Sequence, residues 1–173
     1  MTNTPAHRVQ AHRVQSVGVT EPVAADHLDP SNGGAGAGVH AAPSTHEVLA
    51  SLGAALLAGD RDALETLLAG DVVALVPGRH RAAGVHRGPT AVVDALMVAP
   101  PPGVRVVGID VTEVLVEGSR GLLVIGIQAA LDADADAVVA FEVAFHVQCD
   151  RGLVIGITEY AGDQHAIDEL LGT

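Results

Sequence analysis

Apolar residues recur every three or four positions after Ser44, which predicts that the ordered part of the chain opens with helices. The Ser-x-x-Glu spacing at Ser44 is typical of a capping box, so we expect a first helix from about Thr45 to Ala58. Gly59 ends this helix, and Asp60 is placed to cap a second one. A third apolar face follows Pro89, a residue suited to the first turn of a helix.

The period changes after the prolines at 100 to 102, where β-branched residues dominate. A short apolar strand at 72 to 76 precedes this change. The predicted strands of the second half cover residues 104 to 116, 121 to 131, 137 to 149 and 153 to 160. Short turns between them indicate antiparallel pairing, and a closing helix is expected at 164 to 171. Helices followed by a meander predict an α+β domain, with helices packed on one face of a bent antiparallel sheet.

Residues 1 to 43 differ in composition from the rest of the chain. They are rich in Gly, Ala, Pro, Ser and Asn, lack aromatic residues, and repeat the string Ala-His-Arg-Val-Gln at 6 to 10 and 11 to 15. Such a segment buries too little apolar surface to offset its ordering entropy. We therefore expect a disordered tail at 1 to 43 and one folded domain at 44 to 173.

Charge and composition exclude several classes of function. The formal net charge is −12 over 173 residues, and all nine basic residues are arginines. A chain without lysine cannot form a Schiff base, and so few cations argue against nucleic acid as a partner. The single cysteine, Cys149, leaves no disulfide framework. No membrane-spanning run or leader pattern is apparent, so we expect a cytoplasmic protein without a membrane partner.

Short strings along residues 44 to 173 occur in an order shared with one known family. They are Ala58-Gly59-Asp60, Asp71-Val72-Val73, Pro77-Gly78, Gly84-Val85-His86-Arg87-Gly88, Phe145-His146-Val147, Thr158-Glu159-Tyr160 and Gly162-Asp163-Gln164. Together they resemble the SnoaL-like proteins of the nuclear transport factor 2-like superfamily. The resemblance implies a cystatin-like roll, in which helices and a curved sheet enclose a cone-shaped pocket. It also implies a homodimer formed through the outer face of the sheet.

The best catalytic candidates from the sequence are Glu142 and His146. They lie four residues apart on one strand and therefore share a face, which the resemblance places inside the cone. A carboxylate among aliphatic side chains has a raised pKa, and a nearby histidine exchanges protons near neutrality. The alternatives are a hydrogen-bonded structural pair and a strand register in which both side chains face solvent.

Further candidates line the expected pocket. The resemblance places Glu159 and Tyr160 at the pocket mouth, and strand parity leaves open which of the two side chains faces inward. His86 is a further candidate for ligand contact. His80 and His86 lie on or beside a short second strand after Pro77-Gly78, and both are expected as partly exposed edge residues. The proposed aliphatic wall consists of Leu52, Leu56, Leu75, Leu96, Ile125 and Ile157. The catalytic groups of ketosteroid isomerases have no counterpart here, because aliphatic residues stand at the corresponding positions. We expect no metal and no cofactor, since no ligand cluster or phosphate-binding loop is present.

These features favour a cofactor-independent enzyme of the cyclase or isomerase type that acts on an apolar, polyketide-like carbonyl compound. The alternative is a noncatalytic dimeric module for ligand binding or scaffolding. For the homodimer, the all-apolar row of the strand at 137 to 149 is the expected interface, with Phe141 and Phe145 at its centre.

Overall fold

A computed structural model describes residues 41 to 131 and 134 to 171. The predicted tail, apart from its last three residues, lies outside this range, as do residues 132 and 133 of the turn expected between the strands at 121 to 131 and 137 to 149. Among the described residues, no helix has both the length and the apolar character needed to span a bilayer.

The part of the chain that the structure describes has four helices, where the sequence predicts them. They are α1 (Thr45–Ala58), α2 (Arg61–Leu67), α3 (Pro89–Leu96) and α4 (Gln164–Leu171). The capping box of α1 is complete: Ser44 Oγ accepts from the Glu47 backbone N–H at 3.3 Å, and Ser44 N–H donates to Glu47 Oε2 at 2.8 Å. Gly59 then ends the helix in the left-handed conformation, with φ of 67°.

Six strands form one curved, open sheet, so the α+β prediction is confirmed. The strands are β1 (Leu68–Val76), β2 (Gly84–Arg87), β3 (Val104–Glu117), β4 (Arg120–Leu131), β5 (Asp134–Asp150) and β6 (Leu153–Ala161). Their spatial order is β2-β1-β6-β5-β4-β3. One pair departs from the antiparallel prediction, because β1 runs parallel to β6. The chain reaches β6 from β1 only after the whole meander, so no tight turn fixes the direction of this pair.

The sheet has an inner face, covered by helices, and an outer face. Residues directly opposite each other on paired strands share a face, so the pairs Phe145 with Glu159 and Val143 with Ala161 point the same way. The core lies between the inner face and the helices α1 to α3. Its largest fully buried side chains are Leu49, Leu52, Leu64, Leu123, Val48, Val72, Val92, Val93, Val147 and Val154.

The predicted dimer interface on β5 is wrong, because the apolar row of this strand faces inward. Phe145 is 8% exposed, Val147 is fully buried, and Phe141 packs against the same core. The opposite row carries Glu142 and His146 among smaller residues. Burying two phenylalanines and two valines removes far more apolar surface from water than burying the mixed row does, so the helices cover the apolar row.

Candidate functional site

The inner face of the sheet, the end of α3 and the helix α4 line a partly open cavity of about 140 Å³. Apolar side chains form most of its wall, among them Leu96, Ile127, Phe141, Val143, Phe145 and Ile167. Only two of the described residues that line it are ionisable, namely Glu159 and His80. A cavity of this size and lining is comparable to one that holds a benzene-sized molecule.

Glu159 reaches the cavity because strand pairing sets its direction. It lies on β6 directly opposite Phe145 of β5, and both side chains point to the inner face. The carboxyl group is partly buried, and this burial raises its pKa from 4.5 to about 7. At neutral pH the group is therefore divided between its acid and its carboxylate form, which suits it to proton transfer.

His80 lies in the segment between β1 and β2, and its ring lines the same cavity. The residue is 4% exposed. Its Nδ1 accepts a hydrogen bond from the backbone N–H of Ala82 at 3.3 Å. Its Nε2 is buried and has no hydrogen-bond partner within the described part of the chain. The prediction of a partly exposed edge histidine is therefore wrong for His80.

The carboxylate of Asp168 fixes α4 to the segment that carries His80. It accepts hydrogen bonds from the backbone N–H of Arg79 at 2.9 Å and from the side-chain amide of Gln164 at 3.1 Å. The hydrogen bond from Arg79 is the main reason that the pKa of Asp168 lies below its ordinary value of 3.8, with smaller contributions from Gln164 and His80. Because Asp168 holds α4 in place, Ile167 and Leu170 of this helix close one side of the cavity.

Glu142 and His146 lie on the outer face, so the prediction that they face the cavity is wrong. Glu142 is exposed, and it borders a shallow surface depression together with Tyr160 and Glu113. His146 is half-buried and lies opposite Thr158 on the same outer face. Both positions make these residues poor candidates for proton transfer inside the cavity.

The other predicted ligand contacts divide into three groups. Leu96 lines the cavity. Leu52, Leu56, Ile125 and Ile157 belong to the hydrophobic core beside it. Leu75 and Tyr160 are 45% and 56% exposed and point outward, so the structure contradicts a place for them in the pocket.

His86 is also separate from the cavity. Its Nε2 lies 2.8 Å from the carbonyl oxygen of Ala82, and the ring borders a surface depression with Arg81 and Asp94. Across the described ranges, no three His, Cys, Asp or Glu side chains are grouped in a way that could hold a metal ion.

Solved structures with similar folds cover most of the domain. An NTF2-like protein from Burkholderia xenovorans LB400 is 24% identical, with a TM-score of 0.58, and the match covers 74% of this chain and 95% of that one. A protein of unknown function with a cystatin-like fold from Xanthomonas campestris is 19% identical, with a TM-score of 0.62 and coverage of 76% and 100%. A protein assigned to the SnoaL-like polyketide cyclases, from Mesorhizobium loti, is 18% identical, with a TM-score of 0.54 and coverage of 68% and 99%.

The domain has the nuclear transport factor 2-like fold. No family profile matches the sequence. No curated protein matches it either. At this level of identity a nuclear transport factor 2-like fold carries many unrelated functions, so the function has to be argued from the cavity and its two ionisable residues.

Proposed function

We propose that this protein is a cofactor-independent enzyme of the cyclase or isomerase type, which acts on an apolar carbonyl compound by proton transfer. The observation that carries the proposal is Glu159, a carboxyl group in an apolar cavity whose burial raises its pKa to about 7. A general base works best when its pKa is close to the working pH, because it can then both take and return a proton. Glu159 meets this condition.

The wall of the cavity supports the same proposal. Apart from His80 and Glu159, its described residues offer a ligand only apolar side chains. Such a wall favours an apolar ligand, and a ligand that fills the cavity displaces water from around the carboxylate, which strengthens its basicity toward a bound carbon acid. The small volume limits the enclosed part of the ligand to about six or seven heavy atoms. The likeness in fold to a SnoaL-like polyketide cyclase agrees with this substrate class.

Proton exchange with a simple ketone tests the proposal without knowledge of the natural substrate. Cyclohexanone in D₂O loses its α-protons whenever a base forms the enolate, and NMR follows this loss directly. We expect the wild-type protein to accelerate the exchange and Glu159→Gln to lower that acceleration by about 100-fold or more, in line with typical general-base contributions. The amide keeps the shape of the side chain but cannot accept the proton.

Glu142→Gln is the matched control, since it makes the same chemical change on the outer face. It should leave the exchange rate unchanged. If Glu159→Gln retains the wild-type rate, or if both variants lose it equally, then Glu159 is not the base.

The second candidate is a noncatalytic dimeric module for ligand binding or scaffolding. The outer face of the sheet favours this candidate, because it exposes large apolar side chains, including Leu115 at 52% and Tyr160 at 56%. Monomeric proteins rarely leave a broad apolar patch uncovered, so we propose a homodimer through this face. Ligand binding without any proton exchange in the wild-type protein would favour this second function.

A further inference from the structure

His80 carries a buried hydrogen-bond donor that the fold leaves without an acceptor. In a neutral imidazole one nitrogen bears the proton and the other accepts. Since Nδ1 accepts from the N–H of Ala82, the proton lies on Nε2. Nε2 has no partner within the described residues, and the ring lines the cavity. A buried donor of this kind destabilises the empty protein and gains an interaction when a ligand supplies an acceptor.

The backbone holds this histidine in place before any ligand arrives. The carbonyl oxygen of His80 accepts from the N–H of Ala83 at 2.8 Å, which closes a turn around it. The preceding residue, Arg79, donates its backbone N–H to Asp168. The turn and α4 fix the backbone on both sides of the residue. The hydrogen bond from Ala82 to Nδ1 and the burial of the side chain hold the ring itself, so the donor is preorganised.

We propose that Nε2–H of His80 donates a hydrogen bond to an oxygen atom of the bound ligand and thereby selects oxygen-bearing ligands over hydrocarbons of the same shape. The inference rests on the proposed function only in placing the ligand in the same cavity as Glu159. Nε2 has almost no accessible surface. An acceptor therefore reaches it only when the ligand displaces side chains that pack against the ring in the cavity wall.

Two ring compounds of nearly equal shape test this selectivity. Cyclohexanone carries a carbonyl oxygen, and methylenecyclohexane replaces that oxygen with a CH₂ group. We expect His80→Phe to weaken the binding of cyclohexanone about 10-fold and that of methylenecyclohexane less than about twofold, because only the ketone loses a hydrogen bond. His80→Gln, whose amide nitrogen can occupy a position near Nε2, should recover part of the affinity for the ketone. Dissociation constants from NMR titration of the full chain give all of these values.

Equal weakening of both compounds by His80→Phe would overturn the proposal, and so would a failure of both to bind the wild-type protein. Nitrogen-15 spectra of the histidines test the donor without any substitution: the free protein should show His80 protonated at Nε2 and bare at Nδ1, and the reverse tautomer would also overturn the proposal. A different outcome would contradict the proposed function while leaving the role of His80 intact. If Glu159→Gln keeps the wild-type rate of proton exchange while the selectivity at His80 persists, the donor stands and the base does not.

Discussion

Replacing Glu159 by glutamine should change how the stability of the protein depends on pH. The folded state raises the pKa of this carboxyl group from 4.5 to about 7, so the folded protein binds the proton more tightly than the unfolded chain does. Between these two values the unfolded state releases its proton first, and the free energy of unfolding therefore falls as the pH rises. The loss is complete above about pH 7, where both states are ionised. Glutamine has no proton to lose and lacks this contribution.

The size of the effect follows from the shift in pKa. Each unit is worth 1.36 kcal/mol, so the shift from 4.5 to about 7 sets a limit of about 3 kcal/mol. Between pH 5 and pH 8, linkage predicts that the wild-type protein loses up to about 2.5 kcal/mol relative to Glu159→Gln. Because the carboxyl group is only partly buried, solvent screening lowers this figure, and a change of about 1 to 2 kcal/mol is expected.

Urea unfolding followed by far-ultraviolet circular dichroism is the suitable assay, because the chain has no tryptophan and one tyrosine for fluorescence. Measurements run from pH 5 to pH 8 at low protein concentration, because the net charge is small near the isoelectric point of about 4.9 and favours association there. Glu142→Gln serves as the control, since it makes the same chemical change at an exposed position outside the cavity. A constant difference between the wild-type protein and Glu159→Gln over the whole range would refute the reasoning.

Two further predictions concern the frame of the cavity and the assembly. Gly78 has φ of 102°, and a Cβ atom there would collide with Asp168. Gly78→Ala should therefore lower the free energy of unfolding by about 1 to 3 kcal/mol. Gly70→Ala is the control, because nothing lies within 4 Å of its Cβ position, and similar thermal midpoints for both variants would contradict the prediction. Leu115→Asp on the outer face should convert the proposed homodimer into a monomer, whereas Leu57→Asp, on the exposed side of α1, should leave the sedimentation coefficient unchanged. A monomeric wild-type protein would rule out the dimer.

The helices and most strands could be predicted from the sequence because their signals are local. Ser44 and Gly59 determine the ends of α1 through capping contacts within one turn, and the structure confirms both. The antiparallel strands follow from alternation and short turns in the same way. The parallel pairing of β1 with β6 could not be predicted from local signals, because it joins segments that are separated by the whole meander.

The site was harder to predict because an alternating pattern does not say which face of a strand is inside. On β5 the family resemblance suggested that Glu142 faces inward, whereas the two phenylalanines of the other row decide the matter through their larger apolar area. Once Phe145 is assigned to the core, its partner Glu159 follows by strand pairing. Glu159 can therefore be assigned to the cavity once the pairing of β5 with β6 is known.

His80 gave no such signal. It lies in an irregular segment without periodicity, and its burial depends on α4, which packs on this segment from the far end of the chain through Asp168. No local pattern in the sequence links residues 80 and 168. The second ionisable group of the cavity therefore appeared only in the folded structure.

The titration of the Glu159 side chain is the most direct test of the central claim, that a carboxyl group in an apolar cavity is set for proton transfer near neutral pH. Carbon-13 NMR of the glutamate carboxyl groups, assigned by comparison with Glu159→Gln, reports its pKa without reference to any substrate. We expect a midpoint at about pH 7, well above the ordinary value of 4.5 for a glutamate. A midpoint near 4.5 would mean that the carboxyl is in contact with water, and the proposed role of Glu159 as a base would be contradicted.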